Sequence, residues 1–249
     1  MKIALITGGS RGLGRNMAEH LAAQGVDVLL TYHSNDAEAQ KVVAALTAKG
    51  RKAVALQLDT GRTAAFPAFA EQVKTVLRDT WGRDSFDFLV NNAGIGLYNP
   101  IADTTEDQFD QLMNIHFKGV FFLTQKLLPL IADGGRIINI SSGLARFSYP
   151  GYAAYASMKG AIEVFTRYLS KELGPRGIAV NTLAPGAIET DFGGGTVRDN
   201  RELNAQIAGQ TPLGRVGLPD DIGGAIAMLL SDGAGWINGQ RIEVAGGIH

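Results

Sequence analysis

Short apolar runs ended by glycine or polar residues alternate along this chain with stretches whose apolar residues recur at helical spacing. Ile3 to Ile6 is the first run; it stops at Thr7-Gly8-Gly9, and Leu13 to Ala23 then follows the period of a helix. Val26 to Thr31 predicts a strand, Asp36 to Lys49 a helix, Lys52 to Leu58 a strand, Ala65 to Asp79 a helix and Phe86 to Val90 a strand. Thr105 to Leu130 predicts one long helix, capped by Thr104 or Thr105 with acids in its first turn. A buried strand over Arg136 to Ile140 comes next, then a helix beginning near Gly151 and running to about residue 173, and a sixth strand over Ile178 to Leu183. Residues from about 187 to 215 have weak periodicity and contain Gly193-Gly194-Gly195, the pattern of a cover over a pocket or of a surface excursion. Pro219 opens a last helix through Leu230, and Gln240 to Val244 makes a seventh strand. Strands alternating with helices of this length predict right-handed βαβ units: a doubly wound, seven-stranded parallel sheet with helices on both faces. With no internal repeat or linker, residues 1–249 are expected to form a single domain.

Composition narrows the function classes. Hydrophobic residues make up 45% of the 249 and charged residues 19%, with net charge −1, which predicts an ordinary soluble globular protein. No basic run tracks phosphates and no segment approaches the roughly 20 apolar residues of a membrane span, so neither nucleic acid nor membrane is an expected partner. The start, MKIALITGG, is too short in its apolar part for a signal peptide, which predicts a cytoplasmic location. Absence of cysteine excludes disulfides, thiolate metal sites and thiol nucleophiles. His20, His33, His116 and His249 are scattered without ligand spacing, so no metal site is expected.

Three stretches carry chemistry. The turn TGGSRGLG, residues 7–14, lies between the first strand and the first helix; its glycines would let backbone approach a pyrophosphate at the helix N-terminus. Asn91-Asn92-Ala93-Gly94 follows the fourth strand, at the carboxyl edge where such sheets bind ligands, and suits either a cofactor wall or a simple turn. The third stretch, Asn139 to Ala161, holds Ser142, Tyr155 and Lys159. Tyr155 and Lys159 are four residues apart, on one helix face, where a nearby ammonium would lower the phenol pKa toward use as a general acid/base. Of the six tyrosines, only Tyr155 has Lys at that spacing, though such a pair also arises by chance on amphipathic helices. Ser142, at the end of a buried strand, would hold a substrate oxygen beside the phenol. Asn114 sits inside an apolar helix face, where an amide needs a partner or belongs to a site.

Together these residues resemble the short-chain dehydrogenase/reductase family over essentially the whole chain. TGGSRGLG resembles its TGxxxGxG turn, residues 91–94 its NNAG, Ser142 with Tyr155 and Lys159 its serine and YxxxK pair, Asn114 its helix asparagine, and Pro185-Gly186 with Thr190 its PGxxxT segment. The resemblance implies a Rossmann-like fold and an NAD(P)-dependent oxidoreductase acting on a small-molecule carbonyl or alcohol. Tyr155 would then exchange a proton with the substrate oxygen and Ser142 would hydrogen-bond it. Lys159 would bind the nicotinamide ribose, and Asn114 would hold a water linking Lys159 to solvent. Gly8, Ser10, Arg11, Leu13, His33, Ser34, Asp59, Thr60, Asn92, Ala93, Gly94, Pro185, Gly186, Ile188 and Thr190 would line the cofactor, with Asp59 near the adenine. Thr60 departs from the small aliphatic residue usual in the family, with little expected effect. Within the family the chain is similar to 3-oxoacyl-carrier-protein reductases, glucose dehydrogenases and secondary-alcohol dehydrogenases. A non-catalytic nucleotide-binding regulator on the same fold is the alternative from another class.

The second strand ends in Thr31-Tyr32-His33-Ser34-Asn35, without the acid that NAD-preferring enzymes place there to accept bonds from the ribose hydroxyls. Arg11, with His33, Ser34 and Asn35 as added donors, points to NADP, with NAD possible because no Lys or Arg follows that strand. Tyr98, Leu144, Phe147, Tyr149, Tyr152 and Phe192 favour an apolar or aromatic ketone over a sugar. Phe117, Phe121, Phe165 and Tyr168 exceed what one sheet face covers, which predicts a homo-oligomer, a tetramer by expectation.

Overall fold

The computed structural model describes residues 1–248. Among them, strands β1 (Ile3–Ile6), β2 (Asp27–Tyr32), β3 (Ala53–Gln57), β4 (Phe86–Asn91), β5 (Ile131–Ile140), β6 (Ala179–Pro185) and β7 (Arg241–Val244) form one sheet in the order β3-β2-β1-β4-β5-β6-β7. Every pairing is parallel. The chain winds outward from β1 to β3, returns, and winds the other way from β4 to β7, the predicted doubly wound sheet.

Helices α1 (Gly12–Ala23), α2 (Asp36–Ala48), α3 (Phe66–Val76), α4 (Glu106–Met113), α5 (Gly119–Leu127), α6 (Ala153–Glu172), α7 (Thr196–Asp199), α8 (Arg201–Gln210) and α9 (Pro219–Leu229) follow in chain order. Alternating side chains of β1 serve both layers: Ala4 and Ile6 face Met17, Leu21, Val42 and Ile226, whereas Ile3 and Leu5 face Phe66, Phe69, Leu123 and Leu169. A strand buried on both faces needs continuous apolar sequence, which is why IALI shows a run rather than an alternation. No helix among the described residues is long and apolar enough to cross a membrane.

Two expectations are corrected. The helix expected over 105–130 is interrupted: α4 ends at Met113, a π-turn spans Asn114–Lys118, and α5 resumes at Gly119. Its start is as expected, with Thr105 and Gln108 closing a capping box. At the end of the π-turn a Cβ on Gly119 would stand 2.1 Å from the Thr60 carbonyl oxygen and 2.7 Å from that of Asn114. Helix and β3 loop approach backbone to backbone there, and Asn114, at the start of the π-turn, lines the cavity at the sheet edge. The weakly periodic stretch before Arg215 is also more regular than expected, containing α7 and α8. Gly193, Gly194 and Gly195 precede α7 with φ of 61, 75 and 77°, a bend that side chains with a Cβ resist.

Candidate active site

The carboxyl ends of β1 to β6 converge on one cavity of about 720 Å³. It lies where the strand order reverses between β1 and β4, the place such sheets offer to ligands. Asn92 locks the two loops that meet there: its Nδ2 donates to Thr7 O at 2.9 Å and Gly8 O at 3.2 Å, and its backbone N–H donates to Thr7 Oγ1 at 2.9 Å. The close approach excludes side chains, since a Cβ on Gly14 would meet Gly8 O at 2.1 Å and Asn92 Nδ2 at 2.7 Å. Beyond the turn, α1 begins with no acid in its first turn and no side chain capping it, and a Cβ on Gly12 would find only Thr190, 3.9 Å away. Uncapped helix N–H groups facing open space fit an anionic pyrophosphate.

The strand after the reversal separates two amides that look equivalent in sequence. Asn91 points into the protein, donating to Asn139 Oδ1 at 2.8 Å and Thr124 Oγ1 at 3.0 Å; Asn139 continues the chain to Thr166 at 2.9 Å. Of the two, Asn92 is the one that bonds to the glycine turn.

Ser142 follows β5, and its Oγ accepts from Leu144 N at 3.2 Å. Tyr155 and Lys159 are both buried on the face of α6 turned to the cavity, with the Lys159 Nζ 5.6 Å from the phenol ring centre. Nζ donates to Ile140 O at 2.7 Å, so the strand end that presents Ser142 also holds the amine. Burial lowers the Lys159 pKa to about 7. The same burial raises the Tyr155 pKa above the ordinary tyrosine range, opposed by a hydrogen bond with Ser142. This corrects the expectation that Lys159 sets a depressed phenol pKa: loss of water dominates and keeps the phenol protonated.

His116, passed over in the sequence for want of ligand spacing, is a wall of this site. Its Nε2 is 2.8 Å from Ile95 O, its ring meets that of Tyr155 edge-on at 5.1 Å, and a Cβ on Gly94 would lie 2.6 Å from its Cε1. Burial first, and the Lys159 charge second, lower its pKa to about 3, so it is neutral at physiological pH. Its nearness to Asn114, two residues away, was the one signal the sequence held. Arg62 was missed as well; it lines the cavity beside Asp59, whose Oδ2 lies 3.7 Å from His33 Nε2.

Of the residues expected at the site, Gly8, Ser10, Arg11, Leu13, His33, Asp59, Thr60, Asn92, Ala93, Gly94, Asn114, Ser142, Tyr155, Lys159, Pro185, Gly186, Ile188 and Thr190 line the cavity. Ser34 does not: it is exposed, where the chain turns into α2 and Asn35 spends its side-chain oxygen capping Glu38 N at 3.1 Å. Leu144, Phe147, Tyr152 and Phe192 line the cavity too, whereas Tyr98 and Tyr149 stand behind Tyr152, at ring distances of 5.4 and 6.1 Å. Among the described residues no three metal-ligating side chains come together, and His249 lies outside those residues.

Residues 8–249 match a family model described as enoyl-(acyl carrier protein) reductase. The chain is 35% identical to hydroxynaphthalene reductase-like protein Arp2 of Metarhizium brunneum over 257 aligned residues, covering 99% of this chain and 94% of the relative. Among solved structures it is similar to the promiscuous reductase LugOII, which catalyses keto-reduction at C1 during lugdunomycin biosynthesis, with TM-score 0.94, 36% identity and coverage of 99% and 97%. The angucycline C-6 ketoreductase LanV with bound NADP superposes with TM-score 0.93 at 34% identity, covering 99% and 95%.

A buried amine with a depressed pKa leaves a thermodynamic signature. Between about pH 7 and about pH 10.5 the unfolded chain binds a proton at Lys159 that the folded chain does not, so wild-type stability falls as pH falls through that window. Lys159→Met keeps the stem and removes the titrating atom. Its melting temperature relative to wild type should rise as pH is lowered from about 10 to about 7 and level off below. A difference independent of pH, by calorimetry, would show an amine with ordinary basicity.

Proposed function

The chain belongs to the short-chain dehydrogenase/reductase family, and from that membership we propose that it is an NADPH-preferring carbonyl reductase, reversible as a secondary-alcohol dehydrogenase. The observation that carries the reading is the meeting of Ser142, Tyr155 and Lys159 in one cavity with the open glycine turn of α1. When bound, a nicotinamide dinucleotide supplies the hydride. Tyr155, neutral and buried, gives its phenolic proton to the substrate oxygen. Ser142 hydrogen-bonds that oxygen and so fixes where the negative charge develops. Lys159, with a pKa of about 7, holds ribose hydroxyls and passes a proton toward Tyr155 at neutral pH. Asn114, presented by the π-turn, completes the relay to solvent through a water. The whole chain works as one dinucleotide-binding and catalytic domain in the cytoplasm, and residues 187–215 cover the substrate.

NADPH preference is supported by what stands after β2. The nearest acid, Asp36, is engaged by Gln40 at 3.1 Å and by the Tyr32 phenol, whose pKa that hydrogen bond raises. Arg11 in the glycine turn and His33 at the strand end remain to meet a 2′-phosphate, with Arg62 a third basic group on the wall.

The substrate is an aromatic or extended apolar ketone. Phe192 lies 5.9 Å from Tyr155, ring centre to ring centre, and its exposure of 46%, with 61% for Tyr98 and 50% for Tyr149, leaves a rim of rings in water. Fused aromatic substrates are the chemistry named for the hydroxynaphthalene and angucycline relatives.

A homotetramer is part of the same proposal. Phe121, Phe122, Val164 and Tyr168 are 37, 38, 45 and 66% exposed on α5 and α6, with Phe121 packed on Phe165 at 4.7 Å. Phe165 and Phe117 are themselves partly covered within the chain, so the unpartnered face is smaller than the sequence suggested.

Three measurements test these readings. Tyr155→Phe should lower kcat by at least about 10²-fold while NADPH binding survives, across a panel of aromatic ketones, acyl thioesters and sugars. Undiminished turnover rejects the mechanism, and turnover of sugars alone rejects the substrate class. Arg11→Ala should reduce the kcat/KM preference for NADPH over NADH by roughly tenfold; a wild type that uses NADH equally well, unchanged in the variant, rejects the cofactor assignment. Light scattering at micromolar concentration should return the mass of four chains, and a monomeric mass rejects the assembly.

A further inference from the structure

Behind Ser142 lies a group of charges that touches no reacting atom. Arg241 opens the edge strand β7, and its Nε donates to Glu163 Oε1 at 2.7 Å while its Nη2 donates to the Ser142 carbonyl at 3.1 Å. That carbonyl also accepts from Ala145 N at 3.1 Å, so the guanidinium fills its second lone pair. Glu163 stands one helical turn beyond Lys159 on α6, and the same Oε1 accepts the Ser141 hydroxyl at 2.6 Å. The Ser141 hydroxyl lies 3.3 Å from the Lys159 carbonyl. Arg241 Nη1 pairs with Glu243 Oε1 at 2.7 Å, and Glu243 Oε2 takes Arg146, from the loop beyond Ser142, at 2.6 Å.

The end of β5, the helix that carries the phenol and amine, and the edge strand therefore meet in one planar cation. Ser142 and Tyr155 come from different elements, and a site of this kind tolerates only about 0.5 Å of error in their relative placement. Surface ion pairs contribute little to such precision. This one is different in kind: Arg241 and Glu163 side chains are only 20 and 14% exposed, and the guanidinium makes directional bonds to a carboxylate and a carbonyl at once.

We propose that Arg241, oriented by Glu163, is a positioning residue that fixes the Ser142 backbone, and with it the hydroxyl, against Tyr155 and Lys159. The proposal rests on the reading of Ser142 as the group that binds the substrate oxygen, and a mutant cycle separates the two. With NADPH and the best ketone of the panel, Ser142→Ala should lower kcat. Arg241→Met should lower kcat roughly tenfold, with the Kd of NADPH from fluorescence titration unchanged, because the loss is one of placement. Arg241→Lys should recover part of it. In the Ser142→Ala background the same Arg241→Met change should cost less than about twofold, since the group being placed is gone.

Equal losses in both backgrounds, or a lowered melting temperature with kcat intact, would make Arg241 a structural tie and overturn the proposal. Should Arg241→Met fail to fold, Arg241→Lys carries the same cycle with a smaller expected loss. Undiminished kcat in Ser142→Ala would overturn the reading of the site itself, and the positioning role with it; that result is distinct from a cycle in which Ser142 matters and Arg241 does not.

Discussion

An ammonium loses several kcal/mol of hydration when it leaves water, and Lys159 sits buried where α6 crosses the carboxyl end of β5. The surrounding groups are arranged to make that tolerable. Ile140, the last residue of β5, turns its carbonyl to the amine at 2.7 Å, and the amine answers with a pKa of about 7. His116, close enough to feel the lysine charge, is held neutral with a pKa of about 3, so a second cation does not form beside the first. The phenol next to them stays protonated because burial disfavours its charged form. One desolvated volume sets three titrations, in opposite directions for the acid and the bases.

That volume exists because the sheet reverses between β1 and β4 and leaves a crevice no helix covers. Close contacts on either side of the crevice require missing side chains: Gly14 against Gly8 on one flank, Gly119 against Thr60 on the other. At Thr60 it is the backbone carbonyl that meets the helix. The π-turn over Asn114–Lys118 lies beside that contact and holds Asn114 and His116, both on the cavity wall.

Periodicity disclosed the architecture because the inner strands β1, β2, β4 and β6 are buried nearly throughout and the helices against the sheet on one face, which leaves runs and stripes no loop would show. Most ends of elements were legible to within about three residues, but β5 begins at Ile131, five residues before the expected Arg136. What stayed hidden depends on long-range contact. Nothing near residues 114–118 signals a π-turn, and the backbone that approaches its end at Gly119 comes from Thr60, more than fifty positions earlier. Asn91 and Asn92 differ in role only because Asn139 and Thr124 arrive beside the first. Ser34 looked like a phosphate donor because the chain's departure into α2, fixed by the Asn35 cap, is invisible from the strand that precedes it. The phenol pKa was misjudged for a related reason: the spacing to Lys159 can be counted along the sequence, whereas the burial that outweighs it cannot.

The correction bears on the direction of proton flow. A tyrosine drawn toward neutrality by a lysine would act alone as acid and base. Here burial keeps the phenol an acid, and the nearby group that titrates near pH 7 is the amine. The two groups share one desolvated volume, with the amine 5.6 Å from the phenol ring centre. In the proposed mechanism, carbonyl reduction would draw on the form that is dominant at neutral pH, a protonated phenol. Alcohol oxidation would require the pair to have lost a proton first, with the amine as the place where that proton leaves. Ser142 would take part in both directions, because its hydroxyl can accept from the phenol or donate to an oxygen as its rotor turns. Its distance from Tyr155 would then enter every step of the exchange, and the loop that carries it is tied to α6 through Arg241 and Glu163.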